Sequence, residues 1–347
     1  MNGKGRREQL ARMLERARMF SAILRVRARL RMPVLSAICY HSIGEPGPDY
    51  PCDDEVIDAT RDEFRWQLAL LKRHFTVVGP EDVEAMVAGG PTPPNPVIIT
   101  FDDGYRSCRD VALPLLSEFG LTATFFIATD YVTHRRPFWW DTVSYLVKRS
   151  SEARIVVDYP RRAVIDLRDR KAAIARVKRL VSAEFGIDLR RFIAGLARAS
   201  AVAWTPAIEA ELADRLVMTW QDIRALHDAG MEIASHTRSH VLLRNLPADA
   251  LGDELAGSRG DIEREIQEPV RSLAYPVGYR ILHLPRLRAA VQSAGYDIGF
   301  TNATGVNYLW RTIDRFDIRR LATARGVSSA MFLGQLALPP LAFTRAV

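Results

Sequence analysis

A parallel β/α barrel is the fold this sequence predicts, and three observations predict it. From Val34 onward, short apolar runs rich in β-branched residues alternate with segments whose apolar residues recur at helical spacing. Several of these runs end abruptly in acids, imidazoles or turn formers, as barrel strands do when they deliver side chains to one mouth. The chain has 347 residues, 48% hydrophobic and 26% charged, enough for one large core with an insertion.

The elements follow in order. Residues 1–33 form a basic arm: positions 1–34 hold ten Lys and Arg against Glu8 and Glu15, a surplus larger than the +7 of the whole chain. Leu10, Met13, Leu14, Met19, Phe20, Ile23, Leu24 and Leu30 fall loosely at helical spacing, which predicts an amphipathic basic helix. Such a helix either lies on an anionic membrane surface, binds nucleic acid or packs on the domain. Its charges interrupt every apolar run, so it does not read as a secretory signal, and no run of about 18 apolar residues is present to span a membrane. Strands are expected over 34–40, 75–78, 97–101, 123–128, 231–235, 271–275, 298–301 and 317–321. Helices are expected over 63–73, 114–119, 220–229, 249–266 and 285–294.

One block breaks this rhythm. The roughly 90 residues between Ala128 and Trp220 are far more than a βα unit needs. Residues 134–217 are read as an insertion, helical over 171–216, within a barrel domain spanning 34–330. The insertion opens on PFWWD, where Trp139 and Trp140 either stack on a sugar ring or anchor the lobe. The tail 331–347 is apolar and packs on the core or meets an interface.

Two stretches carry chemistry. VIITFDDG, Val97–Gly104, is an apolar run ending in two carboxylates and a glycine. Adjacent carboxylates repel, and a divalent cation supplies the counter-charge. SHTRSH, Ser235–His240, places two imidazoles four residues apart directly after an apolar run. Two histidines and one carboxylate leave positions open on a divalent ion, as a catalytic site requires. A lone histidine is more often structural, but this pair joined to an acid points to metal. Cys39, Cys52 and Cys108 form no CxxC, which argues against a zinc ribbon or disulfide framework and for a reducing compartment.

TFDDG at Thr100–Gly104, SHTRSH and AYPVG at Ala274–Gly278 together resemble the ordered motifs of the polysaccharide deacetylases, the NodB-homology group of carbohydrate esterase family 4. The resemblance spans about 34–321, excluding most of the insertion. It implies a deformed (β/α) barrel of about seven parallel strands, here with a helical insertion, that hydrolyses N-acetyl groups from amino sugars with a divalent metal. Position by position, it implies Asp103, His236 and His240 as metal ligands and Asp102 as general base. It also implies the Tyr275 N–H as an oxyanion donor, with Pro276 beside it on the substrate side. Zinc is the default ion for this donor set, with other first-row metals open.

The chain departs from the pattern in one respect: no histidine follows His283, where many members place the general acid. CYHSIG, Cys39–Gly44, resembles the N-terminal YH segment of exopolysaccharide-type members, making His41 the candidate acid, or else a structural strand-end histidine. Arg320 in IRRL is the better match for an arginine that orients the base, Arg271 the weaker, and either alternatively sits in a surface ion pair. The expected function is metal-dependent N-deacetylation of an amino-sugar glycan or lipid-linked precursor. The expected place is the cytoplasm, with the arm at the inner face of the membrane. The alternatives are a deacetylase-like sugar binder that has lost its acid, and nucleic-acid binding through the arm, which is not favoured.

Overall fold

The computed structural model describes residues 3–338 apart from Phe185, Tyr279 and Leu282. The chain forms two compact units, one of Met1–Glu45, Ile57–Thr133 and Met218–Val347, the other of Pro46–Val56 and His134–Val217.

The first unit is a closed barrel of seven parallel strands, β1 Val34–Tyr40, β2 Pro96–Phe101, β3 Thr124–Ile127, β4 Glu232–Ser235, β5 Ser272–Ala274, β6 Ile298–Thr304 and β7 Ile318–Ala322. Each strand pairs with the next in sequence and β7 returns to β1. The β-branched runs read this way because barrel strands are buried on both faces; every residue of β1 and β2 is buried. The lumen is filled by small side chains facing large ones, Ala37, Ala234 and Ala274 beside Ile98, Phe126, Phe300 and Ile318. On the outer face Tyr40, Phe101 and Phe125 stack at 5.2 and 4.9 Å, with Phe64 of the helix Arg61–His74 edge-on to Tyr40 at 5.2 Å. That helix starts on a capping box between Thr60 and Glu63.

Seven of the eight expected strands form the barrel. The eighth, at 75–78, is a two-residue edge strand, Thr76–Val77, outside the closed ring. The expected helix over 249–266 contains a π-helical turn at Asp253–Gly257, and another at Cys108–Ala112 runs directly into the helix expected over 114–119. The arm is two helices rather than one, Gly3–Arg16 and Met19–Arg29, broken where Arg18 turns left-handed at φ 55. Phe20, Leu24 and Arg27 face the domain, and Arg27 Nη1 donates to Leu336 O at 2.7 Å. Leu336 belongs to the helix Ser329–Ala337, so the start of the apolar tail is packed on this unit; positions 339–347 of the tail lie outside the described residues.

The second unit has its own core around Val143, Leu146, Val177, Phe192 and Leu196. Its helices Arg170–Ala183, Leu189–Ala199 and Pro206–Leu216 start on Asp169, Asp188 and Thr205, each accepting a backbone N–H of the first turn. The unit is not wholly helical: Arg154–Val157 and Ala163–Asp166 pair as an antiparallel hairpin. Residues 46–56 join it through Lys178 on Asp53 at 2.6 Å and Lys148 on the Cys52 carbonyl at 2.6 Å.

Candidate active site

The DDG turn shows how adjacent acids are separated. Strand alternation puts Ile98, Thr100 and Asp102 on the lumen side of β2, and Ile318 and Arg320 on the lumen side of β7. Asp102 and Arg320 therefore meet inside the barrel, fully buried, in a bidentate pair with both N···O distances at 2.7 Å. Continued alternation would carry Asp103 to the outside. Instead its backbone turns left-handed, φ 74, followed by Gly104 at φ 98, and the carboxylate swings to the strand end.

There it meets the histidines. Asp103 Oδ1 lies 3.2 Å from His240 Nε2 and 3.5 Å from His236 Nε2, and one ligand atom from each of the three residues lies within 4.8 Å of the others. His236 Nδ1 lies 2.8 Å from the Ala274 carbonyl, which fixes it as the donor and leaves the Nε2 lone pair facing Asp103. Burial holds this imidazole neutral, its pKa pushed down to about 4. The SHTRSH loop is bent into place by left-handed Thr237 (φ 64) and His240 (φ 55). Glu254, in the second π-turn, clasps it, accepting the N–H groups of Arg238 and Ser239 at 2.9 Å each.

The structure tests the fit to a metal directly. Asp103 Oδ1 is buried and accepts no well-directed hydrogen bond, while two imidazole nitrogens face it. Two nitrogens and one carboxylate oxygen suit a divalent first-row ion. A second cluster, Cys39, His41 and Asp102, also comes within 4.8 Å. It does not suit an ion, because burial pushes the Cys39 thiol well above its ordinary pKa and its Sγ sits 3.5 Å from Asp102 as an S–H donor.

Burial opposes the charge on Asp102, but the Arg320 guanidinium outweighs it and holds the carboxyl far below the usual range. Arg320 also donates to Thr301 O at 3.1 Å and to Asn302 Oδ1. Arg271, the other candidate, is 58% exposed and paired with Asp297 at 3.6 Å on the surface. His41 stands at the end of β1, with a ring nitrogen within 4.8 Å of an Asp102 oxygen. Its Nδ1 and its backbone N–H both contact Asp58 Oδ2, at 2.9 and 2.7 Å. Burial disfavours the imidazolium, yet Asp58 more than compensates, raising the His41 pKa to about 10.

One expectation needs correction, and one open alternative narrows to anchoring. The Tyr275 N–H is not available to an oxyanion, because it donates to Phe300 O at 3.0 Å in the β5 to β6 ladder, and the Tyr275 hydroxyl donates to Phe316 O. Trp140 offers no open ring face: it is 6% exposed, stacked on Phe138 at 5.0 Å and edge-on to Trp139. That packing is anchoring within the second unit, whose core Trp139 also contacts. Pro276 is buried in the turn after β5. In that turn Gly278 closes against Asn302, where a Cβ would come within 2.4 Å of the Asn302 Cβ and 2.5 Å of its backbone nitrogen. Asp58, Glu254 and Asn302 are parts that sequence reasoning missed. None sits in a motif, and each reaches the site from a separate element.

Residues 89–158 and 191–299, just over half of the chain, match the family model described as polysaccharide deacetylase. The chain belongs to the polysaccharide deacetylase family. Its coarse activity follows from that membership: it is a polysaccharide de-N-acetylase. His41, Asp58 and Arg320 lie outside the matched segments. Among solved structures, the chain resembles the Streptococcus pyogenes deacetylase PplD in complex with acetate, at 16% identity and a TM-score of 0.58, covering 88% of this chain and 99% of that one. IcaB from Ammonifex degensii follows at 18% identity and 0.53, covering 88% and 95%. A de-N-acetylase from Aggregatibacter actinomycetemcomitans stands at 16% identity and 0.54, covering 87% and 99%. At these identities the likeness shows a shared fold. No curated protein sequence matches this deacetylase.

Proposed function

We propose that this deacetylase hydrolyses the N-acetyl groups of an amino-sugar polysaccharide with a divalent ion held by Asp103, His236 and His240. The observation that carries the reading is the unsatisfied Asp103 Oδ1 between two imidazoles, with Asp102 held beside it by Arg320. A bound ion, zinc by the donor set, would polarise the acetamide carbonyl and acidify a water. Asp102 is the proton acceptor for that water. Its pairing with Arg320 keeps it ionised at every working pH and points its oxygens rigidly, at the expense of intrinsic basicity. His41, charged through Asp58, delivers a proton to the departing amine nitrogen. This dyad supplies the acid whose loss the sugar-binding alternative requires. With the Tyr275 N–H committed and Pro276 lacking one, the next main-chain donor is that of Val277, in the left-handed turn at φ 58. Three buried free thiols support work in a reducing compartment, the cytoplasm.

The test is acetate release from soluble N-acetylglucosamine oligomers by the purified chain before chelation, after chelation and after zinc is restored. Activity lost and regained supports the proposal. Zinc bound but no turnover on any acetamido sugar leaves the non-catalytic binder instead.

A further inference from the structure

The N-terminal helix pair carries a surface that deacetylation does not use. Among the described residues nine large hydrophobic side chains are exposed; four of them, Leu10, Met13, Met19 and Val26, belong to this pair, and a fifth, Leu30, caps its second helix. In Met19–Arg29 the inner stripe Phe20, Leu24 and Arg27 is buried. Met19, Ala22, Val26 and Leu30, spaced three and four apart, are exposed on another face with Arg18, Arg25 and Arg29 exposed alongside. An exposed apolar stripe edged by arginines is the pattern of a helix lying in an anionic lipid interface.

A separate segment adds to this surface. The Leu309 N–H donates to Pro33 O at 2.9 Å, which brings the neighbouring Trp310, 53% exposed, beside the end of the arm where Leu30 is 66% exposed. The Trp310 ring rests on Tyr308 at 4.8 Å, and Tyr308 lines a cavity of about 680 Å³ that holds five arginines against three acids. Three of these arginines are ion-paired; Arg311 and Arg319 have no carboxylate at ion-pair distance among the described residues. Interfacial tryptophan beside guanidiniums that lack a carboxylate partner matches a phospholipid headgroup layer.

The position of this surface sets an orientation. The arm enters at the N-terminal end of β1, Tyr308 pairs with Val34 there, and Asn95, just before β2, donates to Leu24 O at 2.9 Å. Asp102, Asp103, His41 and His236 all follow the C-terminal ends of their strands, about 20 Å away along a strand of this length. We propose that the helix pair and Trp310 dock on an anionic membrane and hold the barrel mouth facing away from it, toward polymer in solution rather than toward a lipid-linked sugar. The docking itself does not rest on the deacetylase reading.

The test is co-sedimentation of the full chain with vesicles of phosphatidylcholine alone and of equal parts phosphatidylcholine and phosphatidylglycerol. Binding is expected to the anionic vesicles, weakened by salt, and reduced roughly tenfold or more in the double variant Val26→Asp with Leu30→Asp. Both positions are exposed, so circular dichroism and thermal midpoint should stay unchanged. Brominated lipid should quench tryptophan fluorescence in the parent chain, and Trp310→Phe should remove that quenching. The proposal is overturned if the parent chain stays in the supernatant, if Trp310→Phe leaves quenching intact, or if double-stranded DNA displaces the vesicles and binds the double variant as tightly as the parent.

Discussion

Asp102 and Asp58 are both buried carboxylates bonded to a cationic side chain at the barrel mouth, and they do opposite things. Asp102 meets an arginine through two bonds in the barrel lumen, and an arginine does not titrate. Asp58 meets a histidine that is 30% exposed, which does. One pair is a fixed charge, which in the proposed reaction orients the proton acceptor. The other holds an imidazole protonated, which in the proposed reaction keeps the donor loaded. The difference lies in the partner and the burial, not in the carboxylates.

Breaking the fixed pair at its acid should have the largest effect. Asp102→Asn is expected to lower acetate release by about 10²–10⁴-fold while elemental analysis finds the metal retained; equal loss of metal would show that Asp102 is a ligand instead. Removing the other partner, Arg320→Met, leaves a buried charge uncompensated and should cost about 3–5 kcal/mol in denaturant unfolding. The pH sign follows from the depressed Asp102 pKa. The pair's stabilisation is present above the ordinary carboxylate range and lost as pH falls toward the folded value, so the variant should show a flatter acid limb.

The titrating pair gives the next largest effect. His41 is raised to about 10 by Asp58, so its stabilisation is complete below its ordinary value near 6.5 and is lost as pH rises through about 10. Asp58→Asn should move the alkaline limb of kcat/KM toward acid pH, with His41→Gln abolishing the limb. An unmoved limb would assign it to another group. A bound dication repels the imidazolium, so this limb should sit lower with metal than without it. The smallest effect is expected at Glu254, which supports the SHTRSH loop without touching an ion. Glu254→Gln should weaken metal affinity about tenfold, measured by competition with a chelator.

Much of the comparison was legible in the residues. Runs such as Val97–Phe101 read as barrel strands because burial on two faces demands continuous apolar side chains. Alternation already sets Arg320, not Arg319, on the face of Ile318. The clustering of Asp103, His236 and His240 was readable because a carboxylate and two imidazoles are the residue types a divalent ion would call for. Asp58 was not, because it reaches His41 through a short pairing of Ser42–Ile43 with Ile57–Ala59 that leaves no periodic signature. Nor was the commitment of the Tyr275 N–H, since a ladder bond belongs to the neighbouring strand and not to the motif.

Side-chain chemistry and strand periodicity are local properties, so the chain alone settled the barrel, the family motifs and the identities of the acids and imidazoles. Folding decided which of them touch. The left-handed turn at Asp103 sent two adjacent acids to different partners, the break at Arg18 made one expected helix into two, and closure of β7 on β1 brought Arg320 to Asp102 across 218 residues. These are contacts between distant segments, and their energies depend on burial and distance that no local pattern records.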